Sequence, residues 1–289
     1  MGFYNKNLDD IDFQIYKPHE ILKPYIHSYW VVKKECFEQP LTLKILSDGS
    51  MGFVVNFSDV YNIEVNNHTT QCKDKFIIDG PTKYPSYISF SKNLDLIGIR
   101  FNPAGAYLFL DEEIENFVDK HIAMKESESW PLGSLYKNLI DEKTTHNKIA
   151  YIEKFLIHKL QTTTKRNSPW IFNFIQKAIA KKGDINVSVL SNEFKISIRQ
   201  LERKFKQEVG LSPKLYFRIL RLQNAKEALS SLNIETLTTT AHDSGFFDQA
   251  HFVREFKFFM KETPKNYLNN KRSLAKHHNY KTYSPIISR

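Results

Sequence analysis

Two stretches of the chain share one pattern of residues. Residues 187–216 read VSVLSNEFKISIRQLERKFKQEVGLSPKLY, and residues 238–267 read TTTAHDSGFFDQAHFVREFKFFMKETPKNY. Aligned at a shift of 51, six of the thirty positions are identical. Each stretch has an apolar residue, Arg two positions later, Phe two positions after that, and then Ser/Thr-Pro-Lys-x-Tyr. Because the matches follow one pattern, they indicate a small structural unit that is used twice.

The two copies, unit 1 (residues 187–216) and unit 2 (residues 238–267), each predict a helix-turn-helix. In unit 1 a short helix over 187–194 precedes a turn, and Ser197 is placed to cap a second helix over 198–209. In unit 2 the turn falls at 244–247, and Asp248 takes the capping position. The second helix of each unit has one apolar face and one polar face, as a recognition helix requires.

The polar faces of the second helices carry the residue types that read DNA. Arg binds guanine through two hydrogen bonds, Gln binds adenine, and Lys holds phosphate. The predicted DNA-binding residues are Ser197, Arg199, Gln200, Arg203, Lys204 and Lys206 in unit 1, and Asp248, Gln249, His251, Arg254 and Lys257 in unit 2. A helical bundle with basic solvated faces also explains one such pattern, but two copies joined by a helix are harder to explain in that way.

The segment between the units predicts a long helix. Residues 213–231 comprise 19 residues, which span about 28 Å when helical. Successive major grooves on one face of DNA lie about 34 Å apart. We therefore expect one protomer to read two boxes centred about 10 base pairs apart.

The charge of the chain is divided unevenly. Residues 1–167 hold 20 Lys/Arg and 22 Asp/Glu, whereas residues 168–289 hold 21 and 10, so the second part carries a net charge of +11 and the whole chain +9. A basic part attached to a nearly neutral one indicates a polyanion partner for the basic part alone. The alternative explanation of the positive charge is a basic segment that only increases solubility.

The first hundred residues have a different periodicity. Alternating or buried runs at 13–16, 41–45, 52–57 and 95–101 are separated by turn signals, which predicts a small barrel or sandwich. Between them, Leu22, Tyr25, Ile26, Tyr29 and Trp30 follow helical spacings and predict a helix before a strand.

From residue 104 the pattern becomes helical. Short helices are expected over 104–110, 112–118 and 132–140, and a longer one over 147–160. The apolar face of the helix over 147–160 predicts packing either in a homodimer, through this or a neighbouring helix, or against its own β domain.

The fold class expected is therefore α+β, with a β-rich N-terminal domain followed by an all-α C-terminal domain. The boundaries expected are a sensor domain over 1–160 with strands over about 11–101, a linker over 161–169, a DNA-binding domain over 170–272 and a flexible basic tail over 273–289. From residue 170 onward the pattern predicts no strand.

Composition excludes several classes of protein. The chain has 289 residues, 41% of them hydrophobic, with 10 Gly, 11 Pro and two Cys, which argues against collagen-like, wholly disordered and disulfide-rich chains. No stretch resembles a membrane helix, and the acidic start does not resemble a signal peptide. We expect a cytoplasmic protein whose Cys36 and Cys72 are reduced, inert thiols rather than a reactive pair.

An enzymatic N-terminal domain is the competing hypothesis. A metal-dependent enzyme of this shape needs clustered ligands, but the histidines before the linker form no HxH, HxxH or HExxH. No nucleotide-binding or nucleophile motif is present either. We therefore predict no catalytic residue, no metal site and no cofactor. Arg100, on an apolar strand, is a candidate for holding an acidic effector, with a salt bridge at the barrel rim as the alternative.

In unit 1 and unit 2 the chain resembles the AraC/XylS family of bacterial transcription regulators, and the resemblance extends over about residues 170–272. The match in unit 2 is Ala241-x-x-x-Gly245-Phe246-x-Asp248-Gln249-x-His251-Phe252-x-Arg254-x-Phe256-Lys257, followed by Thr263-Pro264-x-x-Tyr267. The match in unit 1 is Leu201-x-Arg203-x-Phe205-x-x-x-x-Gly210-x-Ser212-Pro213-x-x-Tyr216. Lys261 departs from the pattern, since the family usually has Gly before the Thr-Pro turn.

The N-terminal half is similar to the sensor domain of some of these regulators. The shared phrases are Pro24-Tyr25-Ile26-x-x-Tyr29-Trp30, Asp48-Gly49-x-x-x-Phe53-Val54-Val55-Asn56, Asp79-Gly80-Pro81 and Gly98-Ile99-Arg100-Phe101-x-Pro103-x-Gly105-Ala106. This resemblance implies a cupin-like β fold. The resemblance of residues 170–272 implies a transcription factor that contacts double-stranded promoter DNA through both units. RNA polymerase, a small-molecule effector and a second copy of the chain are further candidate partners, and no membrane partner is expected.

Overall fold

The fold is α+β, as expected. The computed structural model describes residues 2–4, 11–36, 40–46, 48–230, 237–274 and 281–283. The strands are β1 (Gly2–Tyr4), β2 (Gln14–Tyr16), β3 (Ile26–Lys34), β4 (Leu41–Leu46), β5 (Gly52–Asn56), β6 (Tyr61–Val65), β7 (His68–Cys72), β8 (Phe76–Asp79), β9 (Ser86–Phe90), β10 (Leu94–Phe101), β11 (His121–Ala123) and β12 (Lys281–Tyr283).

The helices follow the β-rich region. The α-helices are α1 (Leu132–Asp141), α2 (Thr145–Thr162), α3 (Ile171–Ala180), α4 (Val187–Glu193), α5 (Ile198–Val209), α6 (Pro213–Ser230), α7 (Leu237–Asp243), α8 (Gln249–Met260) and α9 (Pro264–Leu274). Short 3-10 helices lie at Glu20–Leu22, Ala106–Leu108 and Ile114–Phe117. Among the described residues, no helix is both long and apolar enough to cross a membrane.

The strands form two sheets that pack as a sandwich. One sheet has the order β1-β4-β9-β6-β7 and the other β11-β8-β5-β10-β3-β2-β12. Every pairing is antiparallel except that of β12 with β2. The inward side chains of both sheets, such as Leu43, Ile63 and Ile88 from one and Val54 and Leu96 from the other, form one buried cluster. Alternation along the strands places these residues on one face.

The seven-stranded sheet is covered on both faces. Its outer face packs against α1 and α2 in a second buried cluster that includes Phe53, Ile99, Leu139 and Leu156. The apolar face of α2 is therefore buried against its own β domain. Of the two arrangements expected for this helix, packing in a homodimer is wrong for this face.

Several elements differ from expectation. Residues 26–30, expected to be helical, lie in β3, because both faces of this strand are buried and its apolar residues do not alternate. The helices expected over 104–110 and 112–118 are 3-10 turns. Strand β11 lies in a region expected to be helical, and it completes the sheet edge beside β8.

The C-terminal tail also differs from expectation. Helix α9 extends to Leu274. Strand β12 lies in the tail, which was expected to be flexible and without strands, because it pairs with the otherwise open edge of β2. Helix α2 ends at Thr162, two residues beyond the helix expected over 147–160.

The C-terminal helices follow the predicted pattern closely. Helix α5 has the predicted bounds, and α8 begins directly after its predicted cap, Asp248. The helix predicted over 213–231 is described to Ser230, and residues 231–236 lie outside the described residues. Two buried clusters form the cores, one around Phe174 and Phe205 in the first half and one around Phe252 and Phe256 in the second.

Candidate nucleic-acid interface

The recognition helix of unit 1 is α5. Ser197 caps it, since its hydroxyl accepts a hydrogen bond from the Gln200 backbone N–H at 3.2 Å. The helix ends at Gly210, which adopts a left-handed conformation with φ of 89°. Leu201 and Phe205 are buried on the inner face. The cap and the left-handed end fix the bounds that the sequence predicted.

The recognition helix of unit 2 is α8, and it is built in the same way. The carboxylate of Asp248 accepts a hydrogen bond from the His251 backbone N–H at 2.6 Å. The helix ends at Lys261, with φ of 55°, at the position equivalent to Gly210. The left-handed end is therefore retained although Lys replaces Gly, and the Lys261 ammonium lies 4.8 Å from the centre of the Tyr84 ring.

The predicted outer face of α5 is open to solvent. Arg199, Gln200, Arg203 and Lys206 are all exposed. Positions 199, 203 and 206 lie on one stripe, because residues four and three apart share a helix face. Lys204 lies at the edge of this stripe: it is half-buried, and its ammonium donates a hydrogen bond to Gln207 at 3.0 Å.

The predicted outer face of α8 is similar. Gln249, Arg254 and Lys257 are exposed. His251 is partly buried, because its ring packs against Phe246 with 5.6 Å between centroids. The structure therefore brings most of the predicted residues of each unit onto one accessible face, and it places Lys204 and His251 at the edges.

The long helix α6 is tied to both halves of this domain. The Arg218 guanidinium donates two hydrogen bonds to the Glu255 carboxylate on α8, at 2.7 and 2.9 Å. Arg221 donates to the Gly183 carbonyl at 2.9 Å, beside the start of unit 1. Burial lowers the pKa of Arg221, and the charge of Asp184 opposes this effect. Sequence reasoning missed these pairs, because they join residues 37 and 38 positions apart.

Unit 1 also rests on the N-terminal domain. The 3-10 helix Ile114–Phe117 packs on the end of α5, and a Cβ added to Gly210 would lie 3.0 Å from Ile114 and 3.2 Å from Val118. The buried carboxylate of Glu208 accepts hydrogen bonds from Asn167 at 2.9 Å and from the Ser168 backbone and hydroxyl at 3.0 and 2.5 Å. These contacts fix α5 at the junction of linker and β domain.

Unit 2 meets the same domain through different chemistry. The Lys44 ammonium on β4 lies 2.7 Å from the Glu262 carboxylate and donates to the Met260 carbonyl at 2.9 Å. The rings of Tyr84 and Phe258 are 6.0 Å apart. The N-terminal domain therefore contacts both units at the ends of their recognition helices, and it leaves their outer faces accessible.

Arg100 forms the salt bridge that was the alternative to a ligand site. Arg100 lies near the end of β10, and its guanidinium pairs with the carboxylate of Asp48. The pair lies at the interdomain contact, where a Cβ on the neighbouring Gly49 would meet Leu211 at 3.1 Å. Burial raises the pKa of Tyr216, and the charge of Asp48 adds to this effect.

The other candidate chemistry in the N-terminal domain is limited. Within the described ranges, no three His, Cys, Asp or Glu side chains gather as metal ligands would. Cys36 is exposed and Cys72 is buried. Burial raises the pKa of the Cys72 thiol to about 12, so this thiol stays protonated at neutral pH.

A cavity of about 500 Å³ lies at the edge of the seven-stranded sheet. Its lining includes the buried side chains of Ile78, Phe117 and Trp130 and the exposed Lys125. Phe117 belongs to the same 3-10 helix whose Ile114 packs against the end of α5. One short helix therefore connects the cavity to unit 1.

The fold and the two capped, outward-facing helices define a double helix-turn-helix protein. Residues 190–270 match the model of a helix-turn-helix domain, and residues 14–123 match a domain of unknown function, DUF6597. The HTH-type transcriptional activator RhaS of Pectobacterium atrosepticum is 34% identical over 83 residues, which cover 29% of each protein. An uncharacterized HTH-type transcriptional regulator of Staphylococcus aureus is 23% identical over 279 residues, covering 84% of this chain and 35% of that protein.

Among solved structures, ToxT from Vibrio cholerae aligns with 86% of this chain and 98% of its own, at 13% identity and a TM-score of 0.42. The alignment with RhaS spans less than a third of that relative's length. Residues 190–270 therefore form a helix-turn-helix domain similar to that of these transcription regulators. The prediction that the chain is not an enzyme agrees with these relatives, which are transcription regulators.

Proposed function

We propose that the chain is a sequence-specific regulator that binds promoter DNA with unit 1 and unit 2 in adjacent major grooves. The observation that carries this proposal is the pair of recognition helices, each of 12 residues, each capped by a side chain and each with an exposed basic stripe. Helix α6 has 18 residues, which gives about 27 Å of spacer. This length is close to the repeat of B-DNA.

The base-reading residues proposed are Arg199, Gln200, Arg203, Gln249 and Arg254, since all are exposed on the two faces. Lys206 and Lys257 are proposed to hold phosphate. Ser197 and Asp248 bind DNA, in this proposal, near the helix ends that they cap. Lys204 and His251 contribute from the edges of the faces.

The spacing of the two boxes tests this proposal. A pool of random duplexes selected on the full chain should yield two short boxes centred about 10 base pairs apart. Inserting five base pairs between the boxes rotates one of them by about half a turn, so binding should fall at least tenfold. An insertion of ten base pairs restores the rotational phase of the boxes but separates them further than the fixed length of α6 can span. Duplexes that contain a single box therefore serve as the control. Undiminished binding after the five-base-pair insertion would contradict rigid reading of adjacent grooves.

The positive charge of the C-terminal part provides a second test. Residues 168–289 carry a net charge of +11, so affinity should fall steeply with added salt, because the counterions that binding releases from the DNA gain less entropy at higher salt concentration. A duplex of unrelated sequence should bind more weakly, but its affinity should depend on salt concentration to a similar degree. Retention that depends neither on salt nor on sequence would favour a helical accessory domain that binds no specific DNA.

We further propose that the N-terminal domain binds a small-molecule effector in the cavity beside Phe117. Support comes from the cavity volume of about 500 Å³, which lies in the range of ligand sites, and from the contact of the adjoining Ile114 with the end of α5. A thermal-shift screen of small molecules tests it. Compounds that stabilise the chain should lose their effect in Ala123→Trp, which fills the cavity edge, and should keep it in Gln176→Trp, at an exposed position on α3 in the C-terminal part.

The proposed division of the chain is a sensor domain over 1–160, a linker over 161–169, a DNA-binding domain over 170–272 and a basic tail over 273–289. The match of residues 14–123 to one domain and of 190–270 to another supports this division. A cytoplasmic location and contact with RNA polymerase belong to the same proposal. Self-association would have to use a surface other than the apolar face of α2, and sedimentation at tens of micromolar would detect it.

A further inference from the structure

Phe247 is the most exposed large apolar side chain among the described residues. Its relative exposure is 91%, whereas the next highest value in this group is 55%, at Ile140 and Val189. Exposing a whole aromatic ring to water forgoes the free energy that its burial would provide. Single exposed apolar residues are common on protein surfaces, so the significance of this ring comes from its position directly before the recognition helix α8.

The turn of unit 2 explains why this ring is exposed. In unit 1 the left-handed residue Lys195 is followed by one residue, Ile196, and then by the cap Ser197. In unit 2 the left-handed residue Gly245 is followed by two residues before the cap Asp248. Unit 2 therefore has one additional turn residue between its two helices.

Hydrogen bonds show which residue is the additional one. The Ile196 N–H donates to the Ser191 carbonyl at 3.1 Å, and the Phe246 N–H donates to the Ala241 carbonyl at 3.0 Å. Both bonds close the end of the supporting helix in the same way, so Phe246 is the counterpart of Ile196. Phe247 has no counterpart in unit 1.

The core position next to the recognition helix is already filled. A residue before the cap often packs against the fourth helical residue, which here is Phe252. Phe246 takes that place, with its ring 5.1 Å from the Phe252 ring, and it is buried. The Phe247 backbone N–H donates to the His251 ring nitrogen at 3.4 Å, so the backbone is anchored while the side chain points to solvent.

The surroundings of Phe247 favour DNA as the molecule that covers it. The ring directly precedes α8, and the recognition helix of a helix-turn-helix contacts base edges with its N-terminal residues. The exposed Gln249 and Arg254 lie on the same helix. The apolar groups that the major groove presents are the thymine 5-methyl groups, which Phe side chains contact.

We propose that Phe247 is a specificity-determining residue that packs against a thymine 5-methyl group at the edge of the box read by unit 2. This proposal rests on the DNA-binding function proposed above. Unit 1 has no equivalent aromatic, so the preference for thymine at this position should be confined to one of the two boxes.

Uracil substitution tests the proposal, because uracil lacks only the 5-methyl group of thymine. Duplexes are first selected from a random pool with the full wild-type chain, and each thymine of the selected sequence is then replaced singly by uracil. One replacement in the unit 2 box should weaken wild-type binding about fourfold, the effect of burying one methyl group. The same uracil replacement should change the affinity of the Phe247→Ala variant for the duplex less than twofold.

Two further variants make the result specific. Phe247→Leu keeps an apolar side chain and should retain part of the discrimination between thymine and uracil. Val189→Ala removes another exposed apolar side chain, on α4 of unit 1, and should behave as the wild type. Thermal melting of each variant should match the wild type, since Phe247 is exposed.

Different failures have different meanings. If no sequence is enriched from the pool, the proposed DNA-binding function and this inference both fail. If a sequence is enriched but no uracil replacement distinguishes wild type from Phe247→Ala, only this inference fails. If Phe247→Ala abolishes self-association or transcription activation without any dependence on the thymine methyl, a protein covers the ring and the inference is wrong.

Discussion

Unit 1 and unit 2 have the same architecture but are held in the molecule by different forces. Both recognition helices have a side-chain cap, a left-handed end and buried phenylalanines at equivalent positions. Unit 1 is fixed by the buried carboxylate of Glu208 and by close backbone packing at Gly210. Unit 2 is held by the Lys44–Glu262 pair and by rings around Phe258. The comparison shows that a repeated motif fixes the shape of a unit, whereas its surroundings fix how firmly the unit is held.

The largest expected effect concerns the anchor of unit 1. Glu208→Ala leaves donors of Asn167 and Ser168 without their acceptor in a buried place, so it should lower the free energy of unfolding by about 3 kcal/mol. Glu202→Ala removes an exposed carboxylate of the same helix and should cost less than about 0.5 kcal/mol. Urea unfolding measures both, and equal effects would contradict the role of Glu208.

The second prediction compares how the two units read DNA. Arg203→Ala and Arg254→Ala should each weaken binding to the selected duplex by about 2 kcal/mol and relax selectivity at one position in a different box. Lys154→Ala, an exposed change on α2, is the control. Fluorescence anisotropy at fixed salt measures the affinities. If both arginine variants bind as the wild type does, the assigned faces are wrong.

The third prediction concerns the anchor of unit 2. The Lys44 and Glu262 side chains are each 12% exposed, so Lys44→Ala should cost about 1.5 kcal/mol, since it removes hydrogen bonds to a charged donor. Hydrogen exchange should quicken in α8 and α9 and stay unchanged in α5. Lys92→Ala breaks an exposed pair and should have no measurable effect. Faster exchange in α5 as well would mean that the two units are not held separately.

The smallest effect is a gain in stability. Lys261→Gly replaces a left-handed non-glycine residue with the residue type found at the equivalent Gly210. Relief of the backbone strain should stabilise the chain by up to about 1 kcal/mol. Loss of the contact between the Lys261 ammonium and the Tyr84 ring should reduce this gain. Gly210→Ala, the reverse change in unit 1, should destabilise because its Cβ meets Ile114 and Pro81. A lower melting temperature for Lys261→Gly would show that the ring contact outweighs the strain.

The elements with local signals could be predicted from the amino-acid sequence. The caps Ser197 and Asp248, the repeat of Arg, Phe and Pro-Lys-x-Tyr, and the helical period fixed the bounds of α5 and the face it exposes. These signals act within a few residues, because capping and amphipathic spacing depend on neighbours in the chain. The α+β class followed from the change of period near residue 104 for the same reason.

Features that depend on residues far apart in the sequence became visible only in the folded chain. Tyr29 and Trp30 are both buried in β3 because sheet and helices cover opposite faces, which no local period reveals. Arg100 meets Asp48, and Arg218 meets Glu255, only after the chain has folded. The extrusion of Phe247 likewise follows from Phe246 having filled the core. In each case the role of the side chain is set by packing between segments that are far apart in the sequence. A local sequence pattern does not show which of these segments come into contact.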